Sequence, residues 1–124
     1  VDRNDDVPLI LAGDFNSGSH LDWTEENKDL HYGVALEYPA TYALTRAGFI
    51  DSYRQLYPDV RAWPGHTWSP IFKEVLHDRE SFIFYNGSRL EPLHSRVINT
   101  HELSFPSDHG ALITSFKLKK NDLK

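Results

Sequence analysis

Pro8 to Ala12 runs without a polar interruption, the pattern of a short strand covered on both faces. Ser17 to Gly33 is a long polar stretch with little periodicity, holding His20, Asp22, Trp23, Glu25, Glu26 and His31. It reads either as a functional loop or as an ordinary surface excursion. Ala40, Ala43, Leu44 and Ala47 recur at helical spacing and predict a helix from Pro39 to Ala47. Pro39 suits its first turn and Gly48 the residue just past its end. Asp51 is placed to cap a second short helix that runs to Tyr57 and is closed by Pro58. Trp63 to Pro70 is rich in turn formers, and Ser81 to Tyr85 is a second apolar strand ended by Asn86-Gly87. Leu93, Ser95, Val97 and Asn99 alternate with His94, Arg96, Ile98 and Thr100 in a weaker strand pattern, and Gly110 to Leu118 is the last strand. Strands at both ends with helices between them predict an α/β or α+β sandwich, sheet against sheet with helices outside.

Two polar strings abut these strands. Gly13-Asp14-Phe15-Asn16 follows the first apolar run, and Ser107-Asp108-His109 precedes the last. If the two strands run antiparallel, all four functional side chains share one rim of a sheet. In extended backbone Asp14 and Asn16, two apart, point to the same side. An acid, an amide and an acid–histidine pair on one rim suit metal-assisted hydrolysis. Taken alone, Gly-Asp-Phe-Asn reads better as a strand end running into an Asx turn than as a catalytic string. His20, His31, His66, His77, His94 and His101 lack the spacings that suit zinc. Trp63 and Trp68 either cover core or line a substrate mouth.

In this order, with a Thr-Trp element (Thr67, Trp68) and a strand after Arg79 between them, the strings resemble the signature of the endonuclease/exonuclease/phosphatase superfamily. These are the DNase I-like metal-dependent phosphoesterases. The resemblance runs from about Val7 to Phe116 and implies that residues 1–124 are the carboxyl-terminal half of one such domain. It implies part of a four-layer sandwich with two mixed or antiparallel sheets packed face to face. The missing amino-terminal half would be a structural partner, contributing a metal-binding Glu, so the chain alone is expected to be inactive. The implied activity is phosphoester hydrolysis with Mg²⁺ or Mn²⁺, water attacking phosphorus. In that scheme Asp14 is the base, Asn16 bonds phosphoryl oxygens, His109 contacts the phosphate and Asp108 binds metal or holds the reacting groups in place. Arg79, Ser81 and Trp68 fall at substrate-binding positions. Relatives usually carry Asp where this chain has Ser81, and a serine brings no charge to an imidazolium. Either Asp78 or Glu80 compensates from a neighbouring position, or the chain is an inactive relative used for binding or scaffolding.

The composition narrows this only a little. Thirteen Lys and Arg against eighteen Asp and Glu give a net charge of −5, which tilts the substrate from nucleic acid towards phospholipid head groups or small phosphoesters. There is no Cys, hence no disulfide or thiolate metal site; this is compatible with a secreted or periplasmic location without requiring one. No apolar stretch approaches the about 20 residues of a membrane span.

Overall fold

In a computed structural model that describes residues 7–120, the first apolar run forms β1 (Leu9–Asp14) and the second forms β3 (Ser81–Asn86). They pair antiparallel along their whole length, from Leu9 opposite Asn86 to Asp14 opposite Ser81. A two-residue strand, β2 (Ile50–Asp51), lies on the other edge of β3, so the sheet order is β1-β3-β2. The second sheet is an antiparallel pair, β4 (Leu90–Ile98) and β5 (Ala111–Leu118), with an irregular register between Pro92 and His94. Helices plus two antiparallel sheets make this an α+β fold, as expected. No helix among the described residues is long and apolar enough to cross a membrane.

The helices follow their local signals. α1 (Pro39–Arg46) begins on Pro39 and is followed by Gly48 at φ 86°, a left-handed conformation that costs glycine little. α2 (Ser52–Leu56) is capped by Asp51, whose Oδ1 accepts from the amides of Tyr53 and Arg54, both at 3.1 Å. These bonds satisfy amides that the first helical turn leaves without partners.

β3 is the central strand and carries the core residues Phe82, Phe84 and Tyr85. Phe15 packs against Phe82 and Phe84, with ring centroids 5.1 and 6.0 Å away. Tyr85 meets Phe116 edge-on at 5.2 Å, joining the sheets. The Ser52 hydroxyl adds a polar link, donating to the Ile83 carbonyl at 2.7 Å and lying 3.0 Å from the Thr114 hydroxyl.

Two expectations need correction. β1 is not covered on both faces: every residue in it is exposed. The reason is its place at the sheet edge, paired with β3 on one side and with no strand on the other among the described residues. The 17–33 stretch is not a plain surface excursion. It holds a 3-10 helix (Glu25–His31) and buries Ser19, Asp22, Trp23 and His31, because Trp23 stacks on His31 at 4.3 Å and Asp22 anchors buried arginines.

Candidate functional site

The β1–β3 register sets Asp14 opposite Ser81, and one further ladder bond extends it: the Phe15 amide donates to the Glu80 carbonyl at 2.8 Å. Glu80 and Ser81 are thereby fixed beside Asp14. The turn-rich segment brings in the other partner. The Thr67 hydroxyl accepts from the amides of Glu80 and Ser81, both at 3.0 Å, and the Thr67 carbonyl accepts from the Gly110 amide at 2.7 Å. Trp68 forms isolated antiparallel bridges with Asp78 and with His109.

His109 consequently reaches the end of β1. Its Nε2 lies 3.5 Å from Asp14 Oδ2, its Nδ1 lies 3.4 Å from Ser81 Oγ, and its ring centroid is 5.1 Å from that of Trp68. One ligand atom each from Asp14, Glu80 and His109 lie within 4.8 Å of one another, and among the described residues no other such group of three occurs. β1 and β5 belong to different sheets, so the convergence runs through β3 and Thr67 rather than through direct pairing of the two strands.

Asn16 and Asp108 sit differently from their sequence expectations. The chain turns after Asp14: the Asn16 amide donates to Asp14 Oδ1 at 2.8 Å, and Asn16 has φ 47°. The alternation of an extended strand therefore does not carry through to Asn16. Asp108 is exposed and lies outside the three-residue group. The neighbouring Ser107 hydroxyl accepts from the His109 amide at 3.1 Å.

Of the two acids near Ser81, Glu80 joins Asp14 and His109, whereas Asp78 is occupied elsewhere. Asp78 accepts from Trp23 Nε1 at 2.9 Å and from the Arg79 amide at 2.7 Å. Burial, and then the nearby carboxylates of Asp78 and Asp14, push the Glu80 carboxyl above its ordinary range, against the pull of His109. Among the described residues neither Asp14 nor Glu80 pairs with a lysine or arginine. Two carboxylates without a lysine or arginine partner offer oxygens that fit a hard divalent cation such as Mg²⁺ or Mn²⁺, and the imidazole lies beside them.

Arg79, expected at a substrate-binding position, is 1% exposed and faces inward. It donates to Asp22 through Nε at 2.7 Å and Nη2 at 3.0 Å, and to Asp51 through Nη1 at 2.5 Å. Arg54 completes the group, donating from Nε to Asp22 Oδ1 at 2.8 Å. Burial alone would raise the Asp22 carboxyl, but Arg79 and Arg54 outweigh it and hold Asp22 below the usual range. The network ties α2, the 17–33 segment and the start of β3 together behind the site.

The other histidines do not add a metal centre among the described residues. His66 and His77 stack at 6.1 Å and with His31 line a separate cavity of about 280 Å³. Trp63 stacks on Tyr57 at 4.5 Å and is half exposed. Glu80 had a sequence signal only as an acid beside Ser81. The two amides that Thr67 accepts have no local signature at all.

No family model matches the chain. It is similar to the Uncharacterized protein F14F9.5 of Caenorhabditis elegans, 34% identical over 140 aligned positions that cover 94% of this chain and 43% of that protein. The chain thus spans less than half the length of the curated relative it matches.

Proposed function

We propose that the chain carries part of the active site of a metal-dependent phosphoester hydrolase. The observation that carries this reading is the meeting of Asp14, Glu80 and His109, with ligand atoms within 4.8 Å of one another. A phosphodiester resists attack because its anionic oxygens repel the nucleophile. A bound Mg²⁺ or Mn²⁺ would neutralise that charge and stabilise the leaving oxygen.

The residues divide the remaining work. Asp14 Oδ1 is taken by the Asn16 amide, so Oδ2, on the His109 side, is the atom left to accept a proton from the attacking water. Glu80 would supply an oxygen for the cation. His109 Nε2, when protonated, donates to a phosphoryl oxygen. The Asn16 amide group is neutral and donates to the same anion without repelling it. Asp108 lies outside the three-residue group, so its expected metal-binding role passes to Glu80 in this reading. Trp68, beside His109, offers an aromatic wall for the substrate.

We assign this activity to a longer protein, in which an amino-terminal half supplies the remaining metal ligand and covers β1. The substrate is a phospholipid head group, a small phosphoester or nucleic acid. The test is Mg²⁺-dependent hydrolysis of a phosphodiester by that protein, with D14N and H109A as controls. Turnover that falls in both variants supports the reading; turnover equal to wild type in both overturns it.

One observation favours a second reading, a binding or scaffold module without turnover. Ser81 faces His109 Nδ1 at 3.4 Å with a neutral hydroxyl, so no carboxylate stabilises an imidazolium there. An S81D variant that gains activity from an inactive wild type would favour this reading for the natural chain.

A further inference from the structure

We infer that Thr67 is a positioning residue for the cation site, its side chain setting Glu80 and Ser81 against Asp14 while its carbonyl sets His109. The inference rests on the proposed function above and goes beyond it by naming what holds the site in register.

The Glu80 peptide is gripped from two sides. Its carbonyl accepts from Phe15 on the β1 side at 2.8 Å, and its amide donates to the Thr67 hydroxyl at 3.0 Å. Ser81 donates to the same hydroxyl at 3.0 Å, just where the β3 ladder begins. A hydroxyl oxygen has two acceptor sites, so these two amides fill it. Thr67 is fully buried, and its hydroxyl cannot also contact a substrate.

The backbone of Thr67 works in the opposite direction. Its amide donates to the Asp78 carbonyl at 3.0 Å, and its carbonyl receives the Gly110 amide at 2.7 Å, one residue from His109. One residue thus joins the strand that bears Glu80 and Ser81 to the turn that bears His109. Removing the hydroxyl while keeping the shape would orphan two half-buried amides and free Glu80 to drift from Asp14 and His109.

The experiment is a Mn²⁺ titration followed by electron paramagnetic resonance on the full-length protein, comparing wild type, T67V and T67S. Residues that orient metal ligands typically change affinity about 10–100-fold when altered. T67V is expected to weaken Mn²⁺ binding by about that factor, and T67S, which keeps the hydroxyl, to stay close to wild type. Equal Mn²⁺ binding by wild type and folded T67V overturns the inference while leaving the proposed function standing. Wild-type protein that binds no Mn²⁺ overturns the cation site and the inference built on it. If T67V does not fold, amide hydrogen exchange on the wild type decides. Glu80, Ser81 and Gly110 should exchange as slowly as the Phe82–Phe84 core, and fast exchange at Glu80 and Ser81 overturns the pinning.

Discussion

Asp14 and Ser81 are cross-strand partners, and the His109 imidazole meets both, with Nε2 3.5 Å from Asp14 Oδ2 and Nδ1 3.4 Å from Ser81 Oγ. Both ring nitrogens are therefore engaged, which orients the ring without a buried charge beside it. In the proposed hydrolase, H109A removes a donor aimed at the phosphate, and kcat should fall about 10²–10⁴-fold. Because the His109 side chain is only 19% exposed and touches Asp14, Ser81 and Trp68, stability should fall as well, by about 1 kcal/mol. Steady-state kinetics with a urea unfolding curve on the same variant separates the two effects.

Glu80 and Asp108 compete for the role of metal ligand. Glu80 belongs to the three-residue group and Asp108 lies outside it in an exposed turn. E80Q should therefore weaken Mg²⁺ or Mn²⁺ binding at least about 10-fold, and D108N much less. Isothermal titration of both variants gives the order directly, and the reverse order returns the site to Asp108.

Much of the frame is legible in the sequence, and for physical reasons. α1 and α2 carry their own start and stop signals in Pro39, Gly48, Asp51 and Pro58, so local chemistry was enough. β1 and β3 were legible as apolar runs, but the exposure of β1 was not, since a strand's pattern records the cover it needs rather than the cover present. β2 is too short to show any period. The fate of Arg79 depended on Asp22 and Asp51, two acids distant in sequence that only the tertiary fold brings together. In the site, Asp14 and His109 stood out by their flanking strands. Thr67 stood out only through the Thr-Trp element of the resemblance, because nothing local marks a threonine that accepts two remote amides.

Arg79 is a stability residue in this fold. Removing one partner of a buried, hydrogen-bonded ion network leaves uncompensated charge and typically costs about 3–5 kcal/mol. R79M should lower stability by that amount in urea unfolding, because Asp22 and Asp51 lose N–H donors that a thioether cannot supply. A folded R79M with wild-type stability and a raised KM would return Arg79 to the substrate site.

Two buried acids should shape the pH profile of stability in opposite directions. Asp22 is held below the usual range because Arg79 and Arg54 overcome its burial. Its contribution is present above its unfolded value of about 4 and is lost as pH falls through its lower folded value. Burial, foremost, raises the Asp78 carboxyl. The folded state then binds that proton more tightly, so stability declines as pH rises from about 4 through the raised value. Urea midpoints across the acid range should fall on both sides of a maximum near the ordinary carboxylate pKa, and D78N should reduce the decline on the upper side, leaving the part that comes from the raised Glu80 carboxyl.

The decisive measurement is the rate of phosphodiester hydrolysis by the full-length protein in Mg²⁺, repeated with D14N and after chelation of the metal. Turnover that disappears with the chelator and falls about 10²–10⁴-fold in D14N is the predicted result. Turnover that survives both, or a wild-type protein that hydrolyses no phosphoester, would contradict the account.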